Sequence, residues 1–252
     1  MPRFIMVSVG HVANIGASPA ITSPKAAVPA PISVIIPTLN AAASIAPTLA
    51  ALAEGLDAGL VGELIIIDGG SEDGIEAIAD DIGARFFTAT PSRGGQLATG
   101  AKLATRPWLL FIHADTVLGE GWLSATQTQL ATPGKAGYFR LRFDATGLPP
   151  RLVAGWANLR SRLFGLPYGD QALLISAALY HSVGGHPDQP LMEDVALARA
   201  LKGKLVNLEA DALTSAAKYQ GHWLRRGRRN LTLLLRYSLG ASPENLAQRY
   251  RR

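Results

Sequence analysis

The stretch Glu63-Leu-Ile-Ile-Ile-Asp-Gly-Gly-Ser-Glu-Asp-Gly74 decides the fold. Glu63 to Ile67 is an apolar, β-branched run of strand length. Asp68 closes it, two glycines open a turn, and Ser71 or Asp73 stands where it can cap a helix over Gly74 to Ile82. The same strand, polar turn and helix recur on both sides. Upstream, Ile32 to Ile36 reads as a strand and Ala43 to Ala53 as a helix. Downstream come a strand at Ala84 to Thr88, a helix at Gln96 to Ala104 and a strand at Trp108 to His113. The body of that last strand is almost wholly apolar, which requires burial on both faces. This alternation is the signature of βαβ units: an α/β fold with a mainly parallel sheet flanked by helices.

Past a helix at Gly121 to Leu130 the alternation fades. A strand at Tyr138 to Phe143 and an amphipathic stretch from Arg151 to Phe164 lead through the turn Gly165-Leu-Pro-Tyr-Gly-Asp170 to an apolar strand, Ala172 to Ser176. A helix over Glu193 to Lys202 starts on two acids, Trp223 to Leu239 forms a basic amphipathic helix, and Pro243 starts a last short one. Residues 31–240 therefore read as one domain, with residues 1–30 a flexible Ala/Pro/Ser-rich extension and residues 241–252 a basic tail. A signal peptide is the competing reading of the start, resting on Arg3, the short apolar run Phe4 to Val9 and the small residues Ala17 to Ala20. Gly10, His11 and Asn14 interrupt it.

With 252 residues, 48% of them hydrophobic and 17% charged, the chain can bury a full core. No apolar run approaches the roughly 20 residues of a membrane-spanning helix. The absence of cysteine excludes disulfides, thiolate metal sites and a thiol nucleophile, and it leaves a cytoplasmic location unopposed. The net charge of +5 gathers in the last segment, where Lys218, Arg225, Arg226, Arg228, Arg229, Arg236, Arg249, Arg251 and Arg252 face a single Glu244. Such an end is a solvated helical face, a peripheral contact with an anionic membrane or a contact with a phosphate-bearing substrate. No nucleic-acid-binding motif accompanies it.

Ligands of open α/β sheets sit outside the carboxyl ends of the strands, and four strands here end on polar groups. Pro37, Thr38 and Asn40 follow the first, and Asp68 the second. Arg93 lies in a glycine-rich loop after the third, and His113 and Asp115 end the fourth. Singly, each reads as a turn or cap residue; together they read as a nucleotide site. Asp68 can accept hydrogen bonds from a base or ribose, and Arg93 can meet phosphate oxygens. Asp115 suits a divalent cation, Mn²⁺ or Mg²⁺, that completes its shell on a diphosphate. His113, two residues earlier on a strand, points to the same face and favours Mn²⁺. In Glu193-Asp194 one carboxylate can cap the helix while the other acts as a general base. Asp170, beside Gln171, is either an acceptor contact or a turn residue.

The segments Ser33-Val-Ile-Ile-Pro-Thr-Leu-Asn40, Ile67-Asp-Gly-Gly-Ser-Glu-Asp-Gly74, Gly169-Asp-Gln171 and Met192-Glu-Asp194 together resemble family 2 glycosyltransferases of the GT-A fold, across nearly all of residues 32 to 240. Arg93-Gly-Gly-Gln96, His113-Ala-Asp-Thr116, Gly165 to Gln171 and Pro190 to Val195 are similar to the branch associated with arsenosugar biosynthesis. The resemblance implies a Rossmann-like domain with a nucleotide-sugar half (31–120) and an acceptor half (121–240), and an inverting transfer from a nucleoside-diphosphate sugar to a small hydroxylated acceptor. It implies that Pro37, Thr38, Asn40, Asp68 and Arg93 line the nucleotide pocket, that His113-Ala114-Asp115 stands in place of the Asp-x-Asp metal motif, and that Asp194 is the base. Asp170, Gln171 and Glu193 fall with the substrate contacts. Three departures stand out: Lys218-Tyr219 where relatives often carry Arg-Trp, Ala41 where many relatives carry Glu, and His113 for the first Asp. The last two keep a non-catalytic nucleotide-sugar binder in view, and a nucleotidyltransferase shares the strand-end logic. The missing glycine fingerprint excludes a dinucleotide-binding dehydrogenase.

Overall fold

A computed structural model describes residues 29–219 and 221–251. The expected N-terminal extension therefore lies almost wholly outside the described residues. Eight strands form one sheet: β1 (Ile32–Thr38), β2 (Val61–Asp68), β3 (Arg85–Thr88), β4 (Trp108–Phe111), β5 (Thr116–Leu118), β6 (Ala136–Phe143), β7 (Leu173–Ser176) and β8 (Leu205–Thr214). Their order across the sheet is β3-β2-β1-β4-β7-β6-β8-β5. The pairs β3/β2, β2/β1, β1/β4 and β6/β8 are parallel, while β4/β7, β7/β6 and β8/β5 are antiparallel.

Burial on both faces shapes the parallel half. In β1, Ile32, Val34 and Ile36 enter one apolar cluster with Leu52 of α1 (Ala46–Asp57), Ile75 of α2 (Ile75–Asp81) and Trp122 of α4 (Trp122–Leu130). Ile35 enters the opposite cluster with Leu97 and Ala101 of α3 (Arg93–Leu103), Leu179 of α6 (Ala177–Ser182) and Leu197 of α7 (Glu193–Ala200). Helices thus cover both faces, as the uniformly apolar strands require. Gly100 sets how closely α3 can lie on the sheet, because a Cβ there would come 2.4 Å from Ile35 Cγ2.

Several boundaries differ from the sequence reading. β4 stops at Phe111, where its antiparallel partner β7 begins at Leu173, so residues 112–115 form a turn rather than strand. Helix α3 starts at Arg93, three residues early, because Ser92 caps it by accepting from the Gly95 N–H. The cap of α2 is Gly74 in the left-handed region (φ 82°), neither Ser71 nor Asp73. β8 went unread, although Leu208, Ala210, Ala212 and Thr214 alternate as buried residues along it. Alanine is a weak strand former, so the period-2 signal was faint. The remaining helices are α5 (Leu148–Phe164), α8 (Trp223–Ser238) and α9 (Pro243–Arg251). The last is anchored by Leu246, buried beside Met192, Val195 and Leu233.

Topology puts every candidate on one edge. β1, β2 and β4 end there, β8 ends there because it runs the same way, and β7 and β5, being antiparallel, begin there.

Glu63 works at the opposite edge. Its carboxylate accepts from the Ser33 hydroxyl (2.6 Å), the Thr105 N–H (2.6 Å) and Arg85 (2.7 Å), joining the starts of three strands. Burial works to raise its pKa, but these hydrogen bonds prevail and hold it at about 2.

Candidate active site

In the β1–β2 half, Thr38 and Asp68 are register partners at the strand ends and each is 2% exposed. Asp68 Oδ1 accepts from the hydroxyls of Thr38 (2.7 Å) and Ser71 (2.5 Å), and Oδ2 from the N–H groups of Gly70 (2.8 Å) and Ser71 (2.6 Å). Burial opposes its charge, yet the Ser71, Thr38 and Gly70 donors outweigh burial and hold the carboxyl below the usual range. Four donors of its own chain thus meet Asp68, which fixes the turn at the end of β2. Asn40, in left-handed backbone (φ 52°), donates its N–H to Ser71 Oγ and accepts from the Glu72 N–H, clamping the loops after β1 and β2 together. Pro37 is half-buried within β1. Gln96, whose role the sequence reading missed, donates from Nε2 to the Thr38 and Ile67 carbonyls and ties both strand ends to α3.

Arg93 occupies the first turn of α3 rather than a loop, and its Nε pairs with Glu193 Oε1. The backbone there is not open to a phosphate: a Cβ on Gly94 would meet the Pro187 carbonyl at 2.1 Å, and Ser92 donates to Asp188 Oδ1 at 2.6 Å. Burial disfavours the Arg93 charge, but the facing carboxylates of Glu193 and Asp194 outweigh it and keep the guanidinium protonated. Glu193 is 1% exposed and serves as an internal counter-ion joining α3 to α7.

Asp194 is half-buried and bridges two segments. Its Oδ2 accepts from the Gly169 N–H (2.9 Å) and its Oδ1 from the Val195 N–H (2.7 Å). It lines a cleft together with His113, Tyr168, Gly169, His186 and Leu197. Gly169 is required by contact, since a Cβ there would come 2.5 Å from His113 Nε2. His186 accepts or shares a proton with the Tyr180 hydroxyl (3.1 Å), and burial lowers its pKa to about 3, so it stays neutral. Nothing in its Gly/Pro-rich loop marked it in the sequence.

Gln171 is fully buried with its amide engaged: Oε1 accepts from the Ser161 hydroxyl (2.6 Å), and Nε2 donates to the Phe139 carbonyl (3.0 Å). These bonds brace the turn that carries Asp170. Asp170 differs. Its Oδ1 is buried with no hydrogen-bond partner among the described residues, and burial, resisted by Arg160 and reinforced by the charges of Asp194 and Asp115, raises its pKa to about 6. Arg160 stacks 3.4 Å above the Tyr168 ring. Thr214 at the end of β8 donates to the Asp170 carbonyl (3.1 Å), so at 2.9 Å it accepts from Thr116, the residue after Asp115. The turns bearing Asp115 and Asp170 are thus held side by side.

His113 and Asp115 lie on a turn, so the shared-face argument made for a strand does not apply to them. Among the described residues no three His, Asp or Glu side chains come together as metal ligands. The donor chemistry still fits a divalent cation that takes most of its shell from diphosphate and water. Asp115 offers hard oxygen, and Asp170, whose Oδ1 has no hydrogen-bond partner among the described residues, lies within its electrostatic reach.

Among the described residues three non-glycine positions adopt left-handed backbone: Asn40 (φ 52°), Ala172 (φ 47°) and Met192 (φ 65°). Each adjoins the site, after β1, after Gln171 and before Glu193-Asp194. Such conformations cost on the order of 1–3 kcal/mol and persist where surrounding contacts impose them.

The sequence profile of glycosyl transferase family 2 matches residues 33–168. Among curated proteins none matches the chain. Solved structures similar to it include the mannosyltransferase PcManGT from Pyrobaculum calidifontis with GDP-Man and Mn²⁺ (17% identity, TM-score 0.61, 88% of this chain and 70% of that one). Glucosyl-3-phosphoglycerate synthase from Mycobacterium tuberculosis with phosphoglyceric acid is 25% identical, with a TM-score of 0.52 over 71% of this chain and 70% of that one. S. aureus TarS 1–349 with UDP-GlcNAc is 16% identical, with a TM-score of 0.57 over 73% of this chain; the match spans 58% of the TarS structure. The expected GT-A architecture, an α/β sheet flanked by helices, is therefore the observed one.

Proposed function

We propose that this chain, which belongs to glycosyl transferase family 2, moves a sugar from a nucleoside-diphosphate sugar to a hydroxyl of a small acceptor, with inversion at the anomeric carbon. The observation that carries this reading is the left-handed backbone at Asn40, Ala172 and Met192, which flanks the loops of both halves of the site. Residues 31–120 serve the donor and residues 121–240 the acceptor.

Asp194 takes the proton of the acceptor hydroxyl as its oxygen attacks the anomeric carbon, and the bond to the nucleoside diphosphate breaks on the opposite face. The Gly169 N–H on Asp194 Oδ2 orients the carboxylate. Asp68, Thr38 and Asn40 hold the nucleotide loop rigid, and Arg93 supplies positive charge at the boundary between the halves. A bound Mn²⁺ or Mg²⁺ would neutralise charge on the departing diphosphate, and Asp115 with His113 would hold it. The likeness of Arg93-Gly-Gly-Gln96, His113-Ala-Asp-Thr116 and the turn before Gln171 to the arsenosugar branch supports an arsenic-containing acceptor, handled in the cytoplasm.

The test is a thermal-shift screen of UDP- and GDP-sugars with and without Mn²⁺, followed by transfer assays on a hydroxylated acceptor panel and NMR of the product anomer. A donor that raises the melting temperature and a product of inverted configuration are expected. Binding without transfer or hydrolysis would leave a nucleotide-sugar binder, release of pyrophosphate a nucleotidyltransferase, and a retained anomer would sink inversion.

A further inference from the structure

Two neighbouring surface helices turn large apolar side chains outward. Helix α5 buries a row of small residues, Pro150, Ala154, Ala157 and Ser161. Its opposite side carries Leu148, Leu152, Trp156, Leu159 and Leu163, all between 46% and 67% exposed. At ~100° per residue these five fall within an arc of about 80°, facing away from the buried row. Helix α8 repeats the arrangement: Leu233 and Leu234 are buried, while Leu224 (69%) and Leu235 (55%) are exposed. The two helices meet where Gly227 lies beside Val153.

Charge accompanies the stripes. Residues 148–164 and 223–238 contain eight arginines and no aspartate or glutamate. Arg160 is buried under Tyr168, whereas Arg151, Arg162, Arg225, Arg228 and Arg236 are exposed.

We infer that the α5–α8 face docks on the surface of an anionic lipid bilayer. Helices with leucine and tryptophan on one side and arginine beside it lie in the plane of the headgroups, the apolar stripe entering the acyl boundary and the cations meeting lipid phosphates. The other occupants lack the complementary charge. A second copy joined by a two-fold axis through this face would set arginines against arginines. The first 28 residues of the chain carry Arg3 and Lys25 but no acid. The expected membrane contact of the basic C-terminal segment is thereby assigned to a face shared with α5. It requires neither donor nor acceptor, so it stands or falls apart from the transfer reaction.

The experiment is co-sedimentation of the full chain with phosphatidylcholine vesicles and with vesicles containing phosphatidylglycerol, at low and high salt. Binding to the anionic vesicles alone, weakened by salt, is expected. Leu152→Ser with Leu159→Ser, and separately Arg225→Glu with Arg228→Glu, should each lower partitioning roughly tenfold with an unchanged melting temperature. Adding anionic vesicles should shift tryptophan emission to the blue, and Trp156→Phe should remove most of that shift. Failure of the full chain to sediment, binding indifferent to lipid charge, or a dimer by light scattering that the leucine substitutions disperse would each overturn the proposal.

Discussion

The two halves of the site treat their buried polar atoms in opposite ways. Around Asp68 both carboxylate oxygens carry two hydrogen bonds each, and Gln96 and Asn40 close the remaining gaps. Around Asp170, buried atoms of Arg160, Tyr168, Asp170 and Glu193 find no hydrogen-bond partner among the described residues. A buried polar atom without a partner costs about 1–3 kcal/mol. The difference teaches which acids are scaffold and which are poised for a ligand. The first half is preorganised and insensitive; the second holds unspent hydrogen-bonding capacity where an acceptor and a diphosphate would meet.

The sharpest break should come from Asp194→Asn. Turnover is expected to fall about 10²–10⁴-fold, with donor affinity measured by calorimetry nearly unchanged. Near-normal turnover would move the base elsewhere in the second half.

Asp68→Ala should cost about 3–5 kcal/mol in urea unfolding at neutral pH, because it removes the acceptor that four donors share at the end of β2. The folded-state pKa of Asp68 is lowered, so its contribution is present above the unfolded carboxylate pKa and is lost as pH falls through the folded value. The gap between wild type and variant should therefore narrow in acid. A loss under about 1 kcal/mol would mean the first half is no more scaffold than the second.

Asp170→Asn should do the reverse, stabilising the metal-free protein by about 1–3 kcal/mol at pH 7.5. Here the folded pKa is raised to about 6 from 3.8, so the folded state binds more protons between those values and stability falls as pH rises through that window. Melting curves at pH 4 and pH 7.5 check the sign, and transfer activity should drop although stability gains.

The smallest effect is reserved for Gly169→Ala, at about 1–2 kcal/mol, the cost of shifting the His113 ring off the new methyl. A measurable fall in kcat with this variant would tie the ring position of His113 to the reaction, and a fall in stability alone would make Gly169 a packing residue.

Much of the fold was legible in the chain. The apolar runs of β1, β2 and β4 and the glycine turn after Asp68 follow from periodicity and turn chemistry. Burial on both faces leaves such strands few alternatives. The sheet beyond β4 was less legible, because β8 is built on alanines and β5 is three residues long. Of the candidate residues, the chain itself determined that Thr38, Asn40, Asp68 and Asp115 would gather at one edge, since strand ends in a parallel sheet share a side. Only the tertiary structure decided what each acid does there. Whether a carboxylate is saturated like Asp68, paired like Glu193 or left with a bare oxygen like Asp170 depends on donors brought from elements 3 to about 100 residues away, and sequence spacing carries no record of those distances.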